Sequence, residues 1–62
     1  MDGFVTRFYR RDGKPREDYY YQTEEEAIHH LNLFKDDDSE YYDLIEVIDL
    51  ERGKQKAAIY MC

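Results

Sequence analysis

One cysteine, one proline, three glycines, one serine and no tryptophan in 62 residues leave this chain short of the usual staples and hinges of small domains. Each shortage excludes something. Cys62 has no intrachain mate, so a disulfide framework is ruled out. A lone thiol, with no signal-like apolar stretch after Met1, fits a reducing cytoplasm. No apolar run approaches the roughly 20 residues that span a bilayer as a helix. There is no glycine-rich phosphate loop and no zinc-binding spacing. Ser39, the only serine, lies in an acidic stretch without a placed histidine. The reading is therefore a non-enzyme that needs no cofactor and no metal.

Size sets the next limit. A chain of this length buries only about 60% of its unfolded surface, so it is marginal alone. With disulfides and metals set aside, packing and oligomerisation remain as stabilisers.

What the chain does contain is an orderly run of signals. Residues 3–22 read as a hairpin around Asp12-Gly13, 23–35 as one helix, and 41–62 as a hairpin around Arg52-Gly53. The first strand covers residues 4–10 and the second 16–22, where Tyr19, Tyr20 and Tyr21 favour extended backbone. Pro15 has no amide proton and belongs at the turn end or an outer edge. Thr23 with Glu26 makes a capping box, and Glu24, Glu25 and Glu26 suit the positive end of the helix dipole. Ala27, Ile28, Leu31 and Phe34 form the apolar stripe, while His29 and Leu33 point away from it. For the second hairpin, a three-residue loop (51–53) pairs Leu50 with Lys54, Val47 with Ala57 and Ile45 with Ile59. The fold class is α+β, ββαββ: one domain over residues 1–62, a mainly antiparallel four-stranded sheet with a helix on one face.

This element order is shared with compact β-grasp domains, in which the outer segments pair as central parallel strands. An all-antiparallel order is equally buildable from two hairpins, and the analogy implies no function.

A sheet covered on one side should alternate apolar-in and polar-out. These strands alternate poorly: Ile45 and Val47 oppose Leu44, Ile48 and Leu50, and Phe4 and Phe8 oppose Val5 and Tyr9. Whichever face the helix takes, apolar groups remain on the other, the mark of an interaction surface. Five such side chains buried by a partner contribute on the order of 1.5 kcal/mol or more each. Phe4, Phe8, Leu44, Ile48, Leu50 and Tyr60 are the candidate interface, and a second copy of the chain is the first partner to consider, ahead of another protein.

Net charge is −6, unevenly spread. Residues 1–16 carry +3 through Arg7, Arg10, Arg11, Lys14 and Arg16; residues 17–51 carry −12; residues 52–62 carry +3. The basic hairpin, interleaved with tyrosines, gives a nucleic-acid alternative. The run Asp36, Asp37, Asp38 and Glu40 gives another, an acidic surface or nucleic-acid mimic for a basic protein. A chain alternating up and down sets the first turn near Asp36, Asp37 and Asp38, and the second near Glu24, Glu25 and Glu26. The basic turns would then be muted by acids.

Two metal patterns fall short. Glu25 with His29 and Glu26 with His30 lie at i, i+4 but lack a third or fourth ligand. Counted as a calcium loop from Asp36, the positions that need Gly and Glu hold Tyr41 and Val47.

Overall fold

The computed structural model describes residues 3–38 and 40–61. Met1, Asp2, Ser39 and Cys62 lie outside them, as do the expectations placed on Ser39 and Cys62. The order is β1 (Phe4–Arg10), β2 (Glu17–Tyr21), α1 (Glu24–Leu33), β3 (Tyr42–Asp49) and β4 (Lys54–Tyr60). The strands form one antiparallel sheet in the order β2-β1-β3-β4. β1 therefore lies beside β3, not in a parallel pair with β4, and the β-grasp arrangement is not adopted. No helix among the described residues is long and apolar enough to cross a membrane.

The helix begins where its capping chemistry sets it. Thr23 is extended, and its Oγ1 accepts from the Glu26 N–H at 3.2 Å while donating to Glu26 Oε1 at 3.0 Å. Three glutamates then fill the first turn. The helix ends at Leu33, two residues before Lys35, with the Phe34 N–H turning back to the Leu31 carbonyl.

The helix covers the face built by Phe4, Thr6 and Phe8 of β1, Ile45 and Val47 of β3, and Ala57 and Ile59 of β4. Phe8, Ala27, Leu31, Ile45 and Val47 form the buried core. Helix and sheet are joined at Ala27, whose carbonyl accepts from Thr6 Oγ1 at 2.8 Å. Both residues are fully buried, so the threonine hydroxyl has its partner where water cannot reach. Phe8 is the hub, with Tyr19, His30, Phe34 and Tyr42 packed around its ring at centroid distances of 4.9–5.5 Å.

Two bulges adjust the registers. Val47 pairs with Ala57 and Ile45 with Ile59, as the sequence suggests. Toward the turn, however, Ile48 faces Gln55 and Asp49 faces Lys54, so Lys56 is the extra residue and Leu50 does not pair with Lys54. The reason is Asp49. Its carboxylate accepts the N–H groups of Glu51 and Arg52, and its carbonyl takes the N–H of Gly53, which sits at φ 66°. This Asx-type cap draws Leu50 into the turn, where the Leu50 N–H binds the Gly3 carbonyl. A second bulge, between Tyr9 and Arg10, makes Asp43 the extra residue of β3.

Gly3 sits at φ 107°, and a Cβ there would lie 2.7 Å from the Tyr21 backbone oxygen. Gly3→Ala is expected to lower the urea midpoint. Phe8→Ala should cost about 3–5 kcal/mol, while Leu33→Ala, at an exposed position, should change stability by no more than about 0.5 kcal/mol. Urea titrations followed by circular dichroism read all three.

Candidate interaction surface

The face away from the helix carries the opposite strand parity. From β2 to β4 it holds three rows set by the registers. One contains Tyr20, Val5, Ile48 and Gln55; the next Asp18, Arg7, Glu46 and Ala58; the third Tyr9, Leu44 and Tyr60. The outer rows are largely apolar and the middle row is charged.

The middle row is satisfied by pairing within itself and by Tyr9 and Gln55 of the flanking rows. Arg7 Nε donates to Asp18 Oδ1 at 2.9 Å, with side chains only 17% and 20% exposed. Glu46, 8% exposed, accepts from Tyr9 Oη at 2.5 Å and from Gln55 Nε2 at 2.8 Å. The hydrogen bond to Glu46 pushes the Tyr9 hydroxyl above its ordinary pKa, with burial adding. Tyr9 thus stays a neutral donor at physiological pH. The row is already largely desolvated and holds its hydrogen bonds, so covering it costs little further solvation.

The apolar rows are more open. Val5 is fully buried beneath its neighbours, Leu44 and Ile48 are half-buried, and Tyr20 and Tyr60 are 61% and 73% exposed. The interface residues read from the sequence are therefore divided by the sheet. Leu44, Ile48 and Tyr60 share the open face. Leu50 is half-buried in the turn. Phe8, 1% exposed, belongs to the core, and Phe4 packs against it, so these two lie on the helix-covered face and not on the open one. Apolar strand residues are visible in the sequence, whereas the face that the helix covers is set by the tertiary structure. Tyr9, Arg7, Asp18, Glu46 and Gln55 join Leu44, Ile48 and Tyr60 on the open face, and their common signal is strand parity.

The arginines proposed for nucleic acid are each engaged. Besides Arg7, Arg10 binds Asp12 at 2.6 Å and Glu17 at 3.0 Å, Arg11 binds Asp43 at 2.7 Å, and Arg16 lies 3.6 Å from Asp18. Lys14 is exposed, with its N–H on Asp12. The first hairpin thus pairs with its own acids and with the bulged Asp43. Of the acidic run, Asp36, Asp38 and Glu40 are exposed and Asp37 is half-buried. At the other end Lys56, the second bulge residue, reaches Glu24 at 3.7 Å as the topology suggests.

A shallow groove runs along the helix, lined by Tyr21, Glu25, Glu26, His29, His30 and Leu33. At its base Tyr21 Oη lies 2.7 Å from His30 Nδ1. The His30 ring is enclosed by Phe8, Tyr19, Tyr21 and Phe34. Among the described residues no group of three or more His, Cys, Asp or Glu could hold a metal ion.

Compared with protein-family models, with curated proteins and with solved structures, the chain finds no match.

Burial, with His29 adding, pushes His30 below the ordinary histidine value of 6.5. The unfolded chain then takes up this proton first as pH falls. The His30 contribution to stability is whole above about pH 6.5 and is lost as pH falls through that value toward the folded pKa. The urea midpoint should therefore drop between pH 7.5 and 5.5, and His30→Gln should flatten that drop. Asp12 and Asp49, both held below 3.8, act in a separate window at lower pH.

Proposed function

We propose that this protein is a small non-catalytic interaction module that self-associates through its open sheet face. The observation that carries the reading is the make-up of that face: two largely apolar rows on either side of a charged row whose groups already have hydrogen-bond partners within the face.

Charge favours a second copy as the occupant. The chain as a whole carries −6. On the open face Arg7 and Arg16 balance Asp18 and Glu46, so two copies meet there without net repulsion. Elsewhere the acidic helix and the loop after it would repel their own kind. The sheet edges are poor alternatives. β2 has five residues and follows Pro15, and β4 is bulged and carries Lys54 and Lys56, devices that discourage strand addition. A nucleic-acid partner is less favoured, because the arginines of the first hairpin would have to exchange protein carboxylates for phosphates. With a lone thiol, the protein is assigned to a reducing cytoplasm.

Light scattering over a dilution series, at low and high salt, tests the reading. A dimer that persists in salt is expected, and a monomer at every concentration would overturn the proposal. Ile48→Lys should shift the protein to monomer while leaving the helix signal in circular dichroism unchanged. Reversing Arg10 and Arg11 to Glu should leave association intact; loss of binding to a labelled oligonucleotide would instead favour the nucleic-acid alternative.

A further inference from the structure

Building on the self-association reading, we infer that two copies pack sheet to sheet about a two-fold axis parallel to the strands, with Arg7 of each chain over Glu46 of the other. The arrangement follows from the left–right asymmetry of the open face. The sheet midline runs between β1 and β3. Arg7 lies on one side of it and Glu46 on the other, at the same level, as directly paired residues.

An axis along the strands exchanges β1 with β3 and β2 with β4 while preserving levels. Arg7 then lies over the second copy's Glu46, Tyr9 over Leu44, and Ile48 over the level of the fully buried Val5. Each contact matches charge with opposite charge or apolar with apolar. An axis across the strands instead puts Arg7 over Arg7 and Glu46 over Glu46, and like charges facing each other at an interface are strongly disfavoured. Strands of the two sheets remain roughly aligned in the first arrangement, as in ordinary sandwich packing.

The edges make the prediction specific. Phe8 pairs with Glu17, so the register continued by one residue sets Arg16 beside Tyr9. Tyr60 pairs with Leu44, at the same level on the opposite edge. The strand-parallel axis therefore brings Tyr60 of one chain over Arg16 of the other, where a guanidinium can stack on the ring. Within one chain β2 and β4 are three strand spacings apart, roughly 14 Å.

The test uses the full chain with Cys62→Ser as background and single-cysteine variants Arg16→Cys, Tyr60→Cys and Ala58→Cys. The Arg16 and Tyr60 side chains are both more than half exposed, so these changes leave the core untouched. A short bis-maleimide that bridges the roughly 10 Å between packed sheets is added at a concentration where light scattering shows the dimer. A mixture of Arg16→Cys and Tyr60→Cys chains should give a covalent heterodimer, while neither variant alone should cross-link. Self-linking of Ala58→Cys, which sits at the level of Glu46 on the edge strand, with no product from the mixture, would overturn the strand-parallel axis and leave self-association standing. Monomers by light scattering in the Cys62→Ser background would overturn the self-association reading itself.

Discussion

A ten-residue helix can cover one face of a four-stranded sheet and no more, and the rest of this structure follows from that limit. The helix is seated on β1 at Ala27, where the absence of a long side chain lets the Thr6 hydroxyl reach the helix backbone. That contact selects the face made by Phe4, Thr6 and Phe8 as the inner one. Strand alternation then places Val5, Arg7 and Tyr9 outside without further choice. The neighbouring strands follow through their registers, so one helix–strand contact decides which half of the sheet is core and which is surface.

The uncovered face is consistent with that constraint in a way composition alone does not suggest. Ionisable groups occupy its middle, where they are least exposed, and apolar groups occupy its flanks. Such a placement is costly unless the charges satisfy one another. A satisfied buried network adds little net stability, and here it holds Arg7 to Asp18 and Tyr9 and Gln55 to Glu46. The two bulges serve the same economy at the sheet ends. Each turns an extra charged residue toward an opposite charge, Asp43 to Arg11 and Lys56 to Glu24.

The aromatic content divides along the same line. Phe8, Phe34, Tyr42 and His30 pack together where helix meets sheet, Phe34 edge-on to Phe8 and His30 and Tyr42 tilted against it. Tyr20, Tyr41 and Tyr60 remain at the periphery with their rings more than half exposed. Tyrosine tolerates both settings because it joins a large apolar ring to one hydroxyl, and so its abundance could not say which residues were core.

Local chemistry made the elements legible. The Thr23 cap, the stripe of Ala27, Ile28, Leu31 and Phe34, and the glycine turns at Asp12-Gly13 and Arg52-Gly53 are each short-range signals, and the ββαββ order followed from them. The charge layout was legible too, but the partners were not. Arg11 reaches Asp43 only because a bulge projects it, and Leu50 left its expected pairing because the Asp49 carboxylate binds its own turn. Strand order, the inner face and the hydrogen-bonded group of Arg7, Asp18, Tyr9, Glu46 and Gln55 depend on contacts between residues distant in the chain. The sequence by itself determined which segments are strand and helix, since capping, turn and periodicity energies act over a few residues. Only the tertiary structure decided which face the helix takes, because both faces carry enough apolar surface to serve and the choice rests on packing at Thr6, Phe8 and Ala27.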